Sequence, residues 1–375
     1  MKYLPAILVG KLLFFSTIHA GVIQFFDPTK IYQNQTLQVD LKTFIANDPV
    51  SMKEFFDDWK GEYTPKDTQN IALLDSRFAV GVSLKKNYYL EYFYQYSVFL
   101  DTNKEFTDFL HSVKNKNNLI ANKIYTPKLD IIGIKQNGLL VSKSQKIFEN
   151  DKYTFGLAGA FYISYGTEMQ DGVVNGDIIS TGAKDYDIDV SSSYYYTHNY
   201  LYDLDVKGAY GYGYGSHVGL YYENKEYLLK IKFLANDLVS KMYWKNLPYS
   251  KILLKTKNKS YNENGYVKYA PSISGLEQYR NYTQRLVPSY KFESNLKLKN
   301  IALIGGIEHK YKINFPYLKM TYEFNQAQTF DIMYESRFGS FGFGYEYKWF
   351  KVEIIANKFT NFSSFGFNTN FKYKF

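Results

Sequence analysis

The stretch "SFGFNTNFKYKF", Ser364 to Phe375, decides how the rest of the chain is read. Phe365, Phe367, Phe371, Tyr373 and Phe375 fall on one side of an extended chain, with Thr369 among them. Ser364, Asn368, Asn370, Lys372 and Lys374 fall on the other. Side chains alternate across a strand, so this is a strand with one apolar and one polar face. The fold turns on whether the apolar face meets a protein core or hydrocarbon.

Composition favours hydrocarbon. Among 375 residues, 39 are Tyr and 30 are Phe, and aromatics make up 19%. Mean hydropathy is nonetheless negative, at -0.36. Soluble cores bury mostly Leu, Ile and Val. An aromatic-rich yet polar chain suits a wall that is apolar outside and polar inside. The chain has no cysteine, which excludes disulfides, thiolate metal sites and a cysteine nucleophile. The net charge is +9, almost all of it lysine; Arg77, Arg280, Arg285 and Arg337 are the only arginines. Nucleic-acid readers rely on arginine for bidentate contacts, so a nucleic-acid partner is not expected.

The first residues, "MKYLPAILVGKLLFFSTIHAG", place Lys2 before an apolar run and small residues before Gly21. This is the pattern of a secretory signal peptide, residues 1–20, cleaved after Ala20. No run elsewhere reaches the eighteen or so apolar residues of a membrane-spanning helix. An exported chain of this kind enters a membrane as a closed barrel.

Residues 21–70 are the least regular and are expected to form a small N-terminal arm or plug. Within it, "NDPVSMKEFFDDWKGEY" predicts a short helix capped by Asp48 or Ser51 and ended by Gly61. From residue 71 to 375 the period is two. "YYLEYFYQYSVFL" aligns Tyr88, Leu90, Tyr92, Tyr94, Tyr96, Val98 and Leu100, and Asn87 just before it suits a left-handed turn position. "DTNKEFTDFLHSVKNKNN" breaks the pattern as an exposed loop with a helical turn or two. Parity switches at Lys299-Asn300 and Lys348-Trp349 predict two-residue hairpins. Counted back from the last strand, both lie on the periplasmic side, where membrane barrels keep their short turns. The expected fold is all-β: an antiparallel transmembrane β-barrel of about 14 strands, within 12–16, plus the arm or plug.

The terminal stretch resembles the assembly signal of Gram-negative outer-membrane β-barrel proteins. Phe367, Phe371, Tyr373 and Phe375 match its alternating aromatic pattern and terminal Phe; Thr369 departs from it. The resemblance covers only about the last dozen residues. It implies residence in the cell outer membrane, contact with outer-membrane lipid, and delivery by the barrel-assembly machinery.

If the aromatic face meets lipid, the opposite face lines a lumen. Parity assigns Asp185, Asp187, Asp189, Asp203 and Asp205 to that face, with Lys230, Lys232, Lys255 and Lys257 beside them. An acidic stripe next to a lysine stripe sets selectivity in a pore, or neutralises itself in a polar wall. The expected function is passive diffusion of small polar solutes. One alternative is a plugged barrel passing hydrophobic solutes, as fatty-acid transporters do. Another is an adhesin or structural barrel that transports nothing. No cofactor, metal or enzymatic activity is expected: Ser216 and His217 are adjacent and so face opposite ways. "QDGVVNGD" reads as an outer loop, and Trp244 and Trp349 read as interfacial girdle residues.

Overall fold

The computed structural model describes residues 23–29, 36–57, 59–84, 87–199, 204–206, 208–256, 259–261, 267–269 and 272–374. Residues 1–20, expected from sequence to be a signal peptide, and Phe375 lie outside the described residues.

The chain starts its regular structure with β1 (Thr36–Asn47), α1 (Met52–Phe56), β2 (Asn70–Leu84), β3 (Tyr88–Thr102) and α2 (Lys104–Lys114). There follow β4 (Ile124–Tyr125), β5 (Lys128–Glu149), β6 (Tyr153–Ser180), β7 (Tyr186–Tyr196), β8 (His198–Asn199), β9 (Leu204–Asp205) and β10 (Tyr210–Asn224). Then come β11 (Leu229–Asn236), β12 (Ser240–Lys255), β13 (Lys259–Tyr261), β14 (Val267–Tyr269), β15 (Ile273–Gln284) and β16 (Ser289–Leu298). The last six are β17 (Ile301–Lys310), β18 (Ile313–Asn325), β19 (Gln328–Glu335), β20 (Ser340–Tyr347), β21 (Phe350–Ala356) and β22 (Ser364–Lys374).

Among the described residues, eighteen strands join in one sheet, and β8–β9 and β13–β14 form two small hairpins apart from it. Every pairing is antiparallel, and β1 bonds both β2 and β22, which closes the barrel. The closed barrel has 16 strands, within the expected 12–16 though above the central figure of 14, and the sheet shows eighteen because several staves of the wall are broken. β7 and β10 lie end to end along β6, separated by residues 197–209. β11 and β12 lie end to end beside them, parted at Asp237, whose φ is 56°. β16 and β15 complete the third such stave. Alternation in the sequence does not reveal which fragments align.

The expected arm is also revised. Thr36–Asn47 is a wall strand, so the barrel begins there rather than at residue 71. The predicted helix exists, capped by Ser51, whose hydroxyl accepts from the Glu54 amide at 3.2 Å. It sits in the β1–β2 connection, not in a plug. "QDGVVNGD" is strand, inside β6, rather than loop.

Parity separates the two faces. On β3, Tyr88, Leu90 and Tyr92 are exposed while Tyr89, Glu91 and Phe93 between them are buried. On β20, Phe341 and Phe343 are each 56% exposed, and on β22 Tyr373 is 57% exposed, whereas Ser364 is fully buried. Rings point out and polar residues point in, so the rings meet hydrocarbon. One rim carries the tight turns at 150–152, 225–228, 299–300, 326–327 and 348–349, and Asn87 before β3. The other carries the long connections from β1 to β2 and from β3 to β5, the connection from β12 to β15, and one tight turn at 311–312. Short turns face the periplasm and long loops the exterior. Lys299 and Lys348 take φ of 53° and 48° in their hairpins, and Asn87 takes 61°. The molecule is an outer-membrane β-barrel.

The long-loop rim is capped. Val50, Phe55 and Trp59 around α1 pack with Leu100, Ile131, Tyr194 and Tyr196. Phe109 of α2 packs with Leu119, Tyr125 and Ile178. The two helical segments meet where the Tyr63 hydroxyl donates to Asp108 at 2.6 Å and the Tyr63 ring stacks on His111 at 3.9 Å. Arg337 clamps Asp48 with two bonds, 2.7 and 2.6 Å, and so ties the β1–β2 connection to the far side of the rim.

Candidate functional site: the occupied lumen

Residues 23–29 lie within the lumen, with no regular structure at 24–27 and a turn at 28–29. The Ile23 amide donates to Glu308 at 3.0 Å on β17, and the Gln24 amide donates to Asp75 at 3.1 Å on β2. Asp27 meets Lys232 of β11 at 3.0 Å. The segment therefore bridges opposite walls. A backbone without strand partners inside a barrel must find partners for its amides, and here inward carboxylates take those of Ile23 and Gln24. Phe26 packs against Tyr89 and His217, and Arg77 stands over its ring at 5.7 Å.

Around this segment the wall charges are paired. Lys310 and Asp75 meet at 2.9 Å with side chains 5% and 0% exposed; Ser97 also donates to Asp75, at 2.5 Å. Arg77 pairs with Glu91. Lys291 reaches Glu293 and Glu308, each at 3.1 Å, and the Tyr317 hydroxyl donates to Glu293 at 2.7 Å. Lys319 bridges Asp331 and Glu353 at 2.9 and 3.0 Å, and Lys351 also holds Asp331 at 2.5 Å. Buried charges stay tolerable only when each has such partners. The result is a lumen crossed by ion-pair ladders rather than an unobstructed polar bore.

Large rings fill much of the remaining space, admitted by inward glycines. A Cβ on Gly215 would lie 2.3 Å from the Tyr162 ring, and one on Gly211 would lie 2.9 Å from Trp244. This accounts for the alternation in "GAYGYGYGSH": Tyr212 is exposed outward while the glycines leave room inside. Trp244 is 1% exposed and inward, which corrects its reading as a girdle residue; Trp349, 51% exposed at the periplasmic rim, keeps that reading. His217 is buried against Phe26 and Tyr162, and its Nδ1 accepts from the Asp237 amide at 3.1 Å. Ser216 faces the other way and binds the Val239 carbonyl, so the two make no nucleophile–base pair.

Beside residues 23–27 lies a cavity of about 270 Å³. Ile23, Phe25, Leu234, Ile304 and Met333 give it an apolar side. Lys42, Lys232, Lys291, Lys319, Glu293 and Glu353 give it a charged one.

The residues assigned to the pore from sequence are scattered. Asp185 is exposed in the β6–β7 turn. Asp187 accepts from Thr256 at 3.3 Å, and Asp189 pairs with Lys255 at 2.6 Å, both at the outer rim. Lys230 pairs with Glu223 at 3.0 Å near the periplasmic rim. Lys232 alone of the described set lines the cavity. The acidic group and Lys230 and Lys232 thus sit at opposite ends of the barrel. Asp203 and Lys257 lie outside the described residues, as does the side chain of Asp205. Of the cavity charges only Lys232 is assigned from sequence; Lys42, Lys291, Glu293, Lys319 and Glu353 are spread over separate strands and form no run of like charge. The signal was their parity, opposite to the rings.

No family model matches the chain, and no curated protein matches it. Among solved structures, a deletion mutant of the TodX monoaromatic hydrocarbon channel is similar at TM-score 0.44 and 10% identity, over 92% of this chain and 91% of that one. A Pseudomonas aeruginosa FadL homologue gives 0.39 and 8%, over 92% and 90%. The Pseudomonas putida toluene transporter TodX gives 0.37 and 8%, over 92% and 90%. At these values the likeness carries no inference about activity.

Proposed function

We propose that the barrel passes small, largely apolar solutes across the outer membrane through the cavity beside its N-terminal segment. Open diffusion of polar solutes, the first expectation, fits less well, because residues 23–29 bridge the lumen walls and the inward charges are engaged with one another. The single observation that carries the reading is this segment, with Ile23 and Phe25 turned into the cavity. An apolar solute there gains roughly 25 cal/mol for each Å² it removes from water. Ions gain nothing comparable among charges already paired.

Planar-bilayer recordings and solute uptake by reconstituted vesicles test this together. The full chain is expected to show no steady ohmic conductance yet to admit a small aromatic or aliphatic probe. Removing residues 23–29 is expected to open ion conductance. Large steady conductance from the full chain would restore the diffusion pore. Silence in both assays would favour a structural barrel.

A further inference from the structure

The outer wall carries a feature that the lumen does not use. Across β5, β6, β10 and β12 the lipid-facing surface is indented by an apolar groove of about 590 Å³. Its floor is the backbone of a row of inward-turned residues in register, Gly138 with Ser164 and Ser164 with Gly213. Leu139, Ile163, Tyr165, Tyr212, Tyr214 and Tyr243 form its walls. The Tyr212 and Tyr214 rings stand 5.9 and 6.5 Å from that of Tyr243.

Two cations flank Tyr243. Met242 and Trp244 are each 1% exposed and point inward, so Lys241, Tyr243 and Lys245 point outward. Lys245 lies 5.6 Å over the Tyr212 ring, and Lys241 is in register with Tyr214. Among the described residues neither lysine has a carboxylate partner. By contrast Lys135, outward and just above the groove, holds Glu168 at 2.5 Å. That ion pair marks where the apolar belt gives way to the headgroup layer. A lysine facing hydrocarbon is costly, and one at the headgroup level is nearly free when an anion meets it.

We infer that this groove is a binding site for an anionic lipid of the outer leaflet. One acyl chain lies along the glycine–serine floor, and phosphate on the headgroup meets Lys241 and Lys245. Groove and cations coincide at the depth where a membrane lipid changes from chain to headgroup. A soluble partner has no access to it.

Native mass spectrometry of the detergent-solubilised full chain tests the site. The probes are a diphosphorylated, multiply acylated lipid, the same lipid dephosphorylated, and inorganic phosphate. The phosphorylated lipid is expected to bind best, and the double variant K241Q/K245Q to weaken it by roughly 30-fold, two lysines' worth. Asn137→Trp, which fills the groove from its outward wall, is expected to weaken both lipids. Unchanged thermal unfolding shows that the variants still fold. Equal affinity for both lipids, undiminished binding to K241Q/K245Q, or equally tight binding of inorganic phosphate would overturn the inference. So would an Asn137→Trp variant that splits a dimer but retains the lipid, which would mark the groove as a contact between copies.

Discussion

At the scale of single residues, the lumen depends on partners far apart in sequence. Lys310 and Asp75 come together across the barrel and are almost wholly buried. Lys310→Met would strand the Asp75 carboxylate, which also holds Ser97 and the Gln24 amide. Breaking one side of a buried pair typically costs about 3–5 kcal/mol. Denaturant unfolding in detergent is expected to show a loss of that order for Lys310→Met and a smaller one when Asp75→Asn is added. A double-variant loss equal to the sum of the two single-variant losses would mean that the pair is not coupled. Gly215 makes a steric prediction instead. Any Cβ there meets the Tyr162 ring, whose hydroxyl donates to Asp237 at 2.6 Å, so Gly215→Val is expected to destabilise the barrel by about 1–3 kcal/mol. A Gly215→Val barrel as stable as the parent would mean that Tyr162 moves freely.

At the scale of elements, legibility followed local physics. The turn positions Asn87, Lys299 and Lys348 and the Ser51 cap rest on near neighbours, and each stands where the sequence placed it. β1 is only partly legible: in "TLQVDLKTFIAN" Leu37, Val39 and Leu41 alternate with Gln38, Asp40 and Lys42 as in a strand, but the pattern fades at Thr43 and the buried Phe44. The "QDGVVNGD" part of β6 reads as loop from sequence because Asp171, Gly172, Gly176 and Asp177 interrupt its apolar run. The helical cap makes a pH prediction. Burial holds the His111 imidazole below its ordinary value, against the opposing pull of the Trp59 backbone and Asp108. The unfolded cap therefore takes up a proton near pH 6.5 that the folded cap resists. The stabilisation is present at neutral pH and fades as pH falls below that point. Trp59 fluorescence should report loosening on acidification, and His111→Phe should flatten the response. An unchanged profile in that variant would remove His111 as the cause.

At the scale of the whole molecule, the terminal strand told which way the rings face, and that orientation set class and location. It could not tell what fills the middle. The pairs that occupy the lumen join residues hundreds of positions apart, as Ile23 joins Glu308, and no window of sequence records such a contact. The lysines and aspartates read as facing stripes lie at different heights for the same reason: height follows from register, which alternation leaves open. The segment from Ile23 to Thr29 is too short to show a period, yet it decides whether the barrel is a bore or a guarded passage.

The most direct test is to pin that segment. The chain has no cysteine of its own, so Asp27→Cys with Lys232→Cys supplies the only two thiols. They replace an aspartate and a lysine whose side-chain tips meet at 3.0 Å, a span bridged by a short bifunctional thiol reagent rather than by a direct disulfide. A short bis-methanethiosulfonate applied to intact outer membranes is predicted to link them in most molecules and to stop solute uptake until a reductant is added. Absence of the link, or undiminished uptake by the linked protein, would contradict an N-terminal segment that guards the lumen.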